Sequence, residues 1–244
     1  MRLRATSRAL TIAVPVLAAV VLLWWVQSLG SAGGGVGCAS RPCSDPGSEG
    51  VPASSAREPG EDRGAGRSIH WRRSEAIGLP EAGRLVRGVQ LPAEGAPYFT
   101  WDPIRRRSPN RGWRRWGTDD LVRTTLRVVH AYASAHPEAP RVGIGDLSRP
   151  HGGDFGPAFG AIGHATHQNG LDVDVYYPLR SSAERAPLSV DEVNLALAQD
   201  LVDRFVRAGA VKVYVGPGTG LTGPPGVVEA IPNHDNHLHA RLPG

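Results

Sequence analysis

"GHATHQNGLDVDVYYP", residues 163–178, decides how the chain folds, because its second half alternates: Leu171, Val173 and Val175 are apolar while Asp172 and Asp174 are acidic. Successive side chains of a strand point to opposite faces, so the three aliphatics line a core and the two carboxylates share the other side. Gly170 ends the loop that carries His164 and His167. The alternation returns in "PNHDNHLHARLPG", residues 232–244, where His237, His239 and Arg241 fall on one face of a strand and Leu238, Ala240 and Leu242 on the other. Five of the nine histidines lie in these two windows. If the two strands are neighbours, a carboxylate and two imidazoles converge, and His167, seven residues before Asp174, can swing in from its loop.

Imidazole nitrogen and carboxylate oxygen are ligands that zinc accepts at a tetrahedral centre, and three protein ligands leave a fourth place for water. That open arrangement belongs to catalysis. A structural zinc is more often closed by four ligands, usually with cysteines, and neither Cys38 nor Cys43 is near these windows. The two windows together therefore point to a metal site.

The remaining elements fit an α+β class. "RLVRGVQLP" (84–92) and "YFTW" (98–101) read as short strands, and "RVGIGDLS" (141–148), "VKVYV" (211–215) and "HLHARL" (237–242) extend the sheet. A helix is expected over "TDDLVRTTLRVVHAYASAHP" (118–137), capped by Thr118, with Leu121, Leu126, Val129 and Tyr132 mainly on one face and Pro137 as its stop. A second helix is expected over 189–210, opened by a capping box from Ser189 to Glu192. "GTGLTG" (218–223) matches GxGxxG after a strand, but "PPG" follows where a helix should begin, so it reads as a loop bordering the cleft.

Outside this globular part, Arg2, Arg4 and Arg8 precede an uncharged run, "ALTIAVPVLAAVVLLWWV" (9–26), close to the ~18 residues that can just span a bilayer. Residues 1–27 are thus expected to form a signal anchor, or a secretion signal cleaved near "GSA" (30–32), with all that follows extracytoplasmic. Residues 28–67 are rich in Gly, Ser, Ala, Pro and charge and read as a flexible linker with a reach on the order of 35 Å. The globular domain is expected over 68–244. Cys38 and Cys43 sit where an oxidising compartment permits a local disulfide. The net charge of +4, from 26 Arg and one Lys, suits an anionic polymer. "RRRSPNRGWRRWG" (105–117) interleaves arginine with tryptophan, yet an outward-facing domain rarely meets nucleic acid, so these arginines are expected to clasp substrate carboxylates or to brace the fold, and no nucleic-acid partner is expected.

"SPNRGWRRWGTDDLV", "IGDLSRPHGGDF", "GHATHQNGLDVDVYYP" and "HDNHLHARL", in this order, resemble the penicillin-insensitive murein endopeptidases of the lysostaphin and D-Ala-D-Ala metallopeptidase group, over about residues 84–243. The resemblance implies a small antiparallel sheet flanked by helices. It implies that His167, Asp174 and His239 hold zinc, that His237 and His234 act in catalysis beside it, and that His164 lines the same pocket. The implied reaction is hydrolysis of the D-alanyl–meso-diaminopimelate cross-link between peptidoglycan stem peptides. Some members hold a second zinc partly through an Asp and a His placed after the "DVD" strand; "PLRSSAERAPLSVDE" (178–192) offers no such pair, so one zinc is expected.

With no HExxH glutamate in the chain, His237 is the first candidate for the general base, and His234 is placed to assist it or to stabilise the oxyanion. Asp172 either orients a liganding imidazole or pairs with an arginine, and Arg241 shares its face. Two further readings are a D,D- or L,D-carboxypeptidase acting on stem peptides and a zinc-containing wall-binding module without turnover.

Overall fold

A computed structural model describes residues 68–156 and 165–244. The expected anchor, linker and cysteine pair, together with His164, lie outside the described residues. Among the described residues, no helix is long and apolar enough to cross a membrane.

The chain enters through a hairpin of β1 (Glu75–Leu79) and β2 (Ala82–Val86). Next come β3 (Val89–Gln90), β4 (Glu94–Gly95), β5 (Tyr98–Thr100) and β6 (Trp116–Gly117), which pairs with β3. Helix α1 (Asp119–Ala135) precedes β7 (Val142–Ile144) and β8 (Asp172–Tyr176). Helix α2 (Leu195–Arg207) then leads to β9 (Lys212–Val215), β10 (Val228–Ala230) and β11 (His237–Arg241). The principal sheet has seven strands in the order β10-β9-β11-β8-β7-β5-β4.

The α+β class agrees with the reading of the sequence, but the sheet is mixed where an antiparallel one was expected. Strands β5 and β7 are parallel, as are β9 and β10, while the three central pairs, β9–β11, β11–β8 and β8–β7, are antiparallel. The physical reason lies in the connection: the segment between β5 and β7 contains all 17 residues of α1, and such a crossover returns the chain to the sheet in its original direction.

Alternation along the central strands does the rest. Val173, Val175, Val213, Val215, Leu238 and Ala240 are fully buried in one hydrophobic cluster. Into it pack Leu121, Val122, Val129 and Tyr132 of α1 and Ala198, Leu201, Val202 and Phe205 of α2. Both helices therefore cover the apolar face of the sheet and leave its opposite face for polar side chains. Thr118 caps α1 by accepting from the Leu121 N–H at 3.1 Å. Helix α2 starts later than the capping box suggested: Asn194 is its cap, accepting from the Leu197 N–H at 3.3 Å. Glu192 instead ends a short 3-10 turn, Val190–Glu192, its carboxylate accepting from Arg185 at 2.8 and 2.9 Å and from the Leu188 N–H at 2.8 Å.

Candidate metal centre

Strands β8 and β11 are direct neighbours, with His239 opposite Asp174, Arg241 opposite Asp172 and His237 opposite Tyr176. One sheet face thus gathers both carboxylates and both strand imidazoles. His167 reaches the same place from the loop before β8, in a left-handed backbone conformation (φ 69°) that non-glycine residues seldom adopt. The loop is held from several sides. Asp172 accepts from the His167 N–H at 3.1 Å, the Gln168 N–H donates to the Pro80 carbonyl, and Asn169 Nδ2 donates to the Gly78 carbonyl. The β1–β2 hairpin thereby serves as the buttress of this loop, and Gly170 (φ 79°) turns it into β8.

Three donor atoms meet here. His167 Nε2 lies 3.1 Å from His239 Nδ1, His239 Nδ1 3.1 Å from Asp174 Oδ1, and His167 Nε2 3.3 Å from Asp174 Oδ1. Four ligands placed tetrahedrally at zinc bond lengths of about 2.0–2.1 Å stand about 3.3 Å apart, so this triangle is close to one face of such a tetrahedron. All three residues are buried, and together they make a group able to hold a metal ion. Tautomers agree with that use. Asp172 Oδ1 can only accept, so the 2.9 Å contact fixes the His239 proton on Nε2 and turns a bare Nδ1 toward Asp174 when the ring is neutral. A lone pair facing a carboxylate across 3.1 Å calls for a cation between them.

In the metal-free site a proton takes the place of that cation. Burial works against a charged His239 ring, but hydrogen bonds to Asp172 and Asp174 outweigh it and push the imidazole up to about 9. Burial also opposes ionisation of Asp172, yet the hydrogen bond from His239 and the charges of His167 and Arg241 hold its carboxyl far below the usual range. Asp174 is likewise held low against its burial, mainly by His167 and His237. Asp172 accepts both from His239 at 2.9 Å and from Arg241 Nε at 2.6 Å.

His237 and His234 complete the cluster at its open side. The His237 Nε2 lies 3.8 Å from Asp174 Oδ1, and the two rings stack with centroids 4.8 Å apart. Nδ1–H of His234 donates to the Pro232 carbonyl at 2.8 Å, and Nδ1–H of His237 to Asn236 Oδ1 at 2.7 Å. In their neutral forms both rings therefore carry the lone pair on Nε2.

Several neighbours went unassigned in the sequence. Tyr214 sits opposite His239 on β9, its ring 5.5 Å from that imidazole and 6.1 Å from His234. Tyr176, two residues after Asp174, was within reach of the same alternation that located the carboxylates. Behind Asp174, the Asp146 carbonyl accepts from the Asp174 N–H at 2.9 Å, and the Asp146 carboxylate accepts from Arg114 Nε at 2.6 Å and from Asn110 at 2.8 Å. Arg114 and Arg115 are fully buried, so these two arginines of the Arg/Trp segment brace the fold. Glu184 and Glu192, the glutamates of the stretch after β8, pair with Arg141 and Arg185.

Residues 76–213, more than half of the chain, match the family model described as penicillin-insensitive murein endopeptidase. The chain belongs to this family. The matched residues include His167, Asp172 and Asp174 and end before β11, so His239 joins them through its pairing across the sheet. Among its relatives is a penicillin-insensitive murein endopeptidase of Yersinia enterocolitica, 34% identical over 107 residues that make up 43% of this chain and 33% of the relative. A Yersinia pestis protein of the same name is 36% identical over 106 residues, and one from Salmonella arizonae 32% over 107. The matched stretch covers about a third of the length of these curated relatives.

Proposed function

We propose that the chain is a zinc-dependent murein endopeptidase hydrolysing D-alanyl–meso-diaminopimelate cross-links of peptidoglycan, with one zinc ion held by His167, Asp174 and His239. The observation that carries this reading is the buried triangle of two imidazole nitrogens and a carboxylate oxygen, with two further histidines at its open side. The family supports the substrate class, since the relatives are named murein endopeptidases. Action on the extracytoplasmic side, with the chain attached to the membrane through residues 1–27 or released by cleavage, follows from the apolar run at 9–26 and agrees with a cell-wall substrate.

When bound, zinc supplies a Lewis acid for the scissile carbonyl and makes a water molecule acidic near neutral pH. The chain moves the protons. His237 Nε2 accepts one from the attacking water and delivers it to the departing amine nitrogen as the carbon–nitrogen bond breaks. Asn236 keeps His237 in the tautomer this requires, and His234, stacked on it, takes part of the charge that develops. Asp172 fixes the tautomer and direction of His239 and, with Arg241, forms the outer support of the metal.

Replacing that support tests its role. Asp172→Asn is expected to weaken zinc binding by about 10–100-fold, the usual cost of losing an outer-shell partner. Competition against a calibrated chelator measures it, and unchanged affinity would remove Asp172 from the metal's support. For the function itself, the full chain is incubated with purified cross-linked muropeptides, with zinc or with excess chelator, and the products are identified by mass. Metal-dependent appearance of monomers is expected. Release of terminal D-alanine alone would make the protein a carboxypeptidase, and binding without any product would make it a wall-binding module.

A further inference from the structure

Beside the histidines, a cavity of about 550 Å³ opens among Trp101, Arg106, Tyr176, Arg185, Leu188 and Asn236. Two of its lining residues, Tyr176 and Asn236, neighbour His237. Tyr176 faces His237 across the β8–β11 pair, with ring centroids 6.1 Å apart, and Asn236 is the residue that accepts from His237 Nδ1. Its size falls within the roughly 300–1,000 Å³ typical of sites for small ligands. Among the described residues, no acidic one lines it.

The two arginines differ in state. Arg185 is neutralised by a two-pronged pair with Glu192, at 2.8 and 2.9 Å. Arg106 is exposed and makes no side-chain hydrogen bond or ion pair among the described residues. Its backbone is left-handed, φ 50°, an uncommon conformation for a branched-out cation and one kept by a tight turn. Asp102 builds that turn, accepting on its carboxylate from the Ile104 and Arg105 N–H groups at 2.9 and 3.0 Å and donating its own N–H to the Arg107 carbonyl at 2.9 Å. Arg111 Nε anchors Asp102 at 2.6 Å. The guanidinium is thus presented at the cavity by an ordered turn. On the same cavity stands Leu188, 65% exposed and among the few large apolar side chains so open to water.

We infer that this cavity is the subsite for the peptide arm flanking the cut bond, with Arg106 clasping a free carboxylate of that arm while Trp101, Tyr176 and Leu188 pack against its aliphatic parts. The inference rests on the endopeptidase reading and names the recognition that goes with it. Stem peptides carry several carboxylates, and a guanidinium not already neutralised, in a cavity without acids, selects for one.

Paired substrates test it: a cross-linked muropeptide with free carboxylates and the same compound with those carboxylates amidated. The wild-type full chain is expected to favour the free form in kcat/KM by about tenfold or more, the worth of a hydrogen bond to a charged group. Arg106→Gln should erase that preference, the loss falling mainly on KM for the free form, and Arg106→Lys should restore part of it. Equal losses on both substrates, or an undiminished preference in Arg106→Gln, would overturn the subsite. A second measurement stands apart from turnover: isothermal titration of both muropeptides into the zinc-stripped full chain. There wild type should bind the free form more tightly and Arg106→Gln should not discriminate. A wild type that discriminates in binding but cleaves neither compound would sink the endopeptidase reading and keep the subsite; binding without discrimination would sink the subsite whatever the rate.

Discussion

Asp174→Asn should give a folded domain that neither retains zinc nor cleaves muropeptides. The substitution keeps the side chain's shape but replaces the anionic oxygen that lies 3.1 and 3.3 Å from the two imidazole nitrogens. A neutral amide also no longer offsets the positive charge that a divalent ion brings into a buried site. The rate should fall by at least about 10²–10³-fold, the scale seen on losing a main stabiliser of the transition state. Zinc per chain, measured by elemental analysis after gel filtration, should drop from one to near none, and the far-ultraviolet circular dichroism should be unchanged. A variant that keeps a full complement of zinc would remove Asp174 from the ligand set.

His237→Gln should have the second-largest effect and a different signature. Zinc content should remain normal, because the proposed ligands are untouched, and KM should change little. The fall should appear in kcat, by about 10²–10⁴-fold, the contribution expected of a positioned general acid–base. His234→Gln should cost less, since that ring meets the cluster through ring contacts with His237 and His239. If the order of the two effects were reversed, the base would be His234 and His237 its helper.

Much of this site was legible because period-two alternation is a local signal. "LDVDV" and "HLHARL" each divide their side chains between two faces, and Leu238, Ala240, Val173 and Val175 are buried as that division requires. The turn residues told less. Ser189 and Glu192 satisfy a capping pattern, but the pattern does not know that Arg185 will claim the glutamate, so the helix waits for Asn194. The Arg114–Asp146 pair was equally hidden: 32 residues separate its members, and an arginine among arginines gives no hint that it will be buried. The parallel strands were missed because the expectation of an antiparallel sheet came from resemblance, whereas strand direction follows from the crossover through α1.

The place of β11 in the sheet has a consequence for when the protein becomes competent. It is the last strand among the described residues, yet it lies between β9 and β8 near the middle of the sheet. His239 and His237 therefore reach Asp174 only after the other described strands have been synthesised and this one has slotted between two that precede it. Until then a partly made chain holds the two aspartates of β8 and a loop histidine without the β11 imidazoles, so the candidate site is incomplete while those strands are being made.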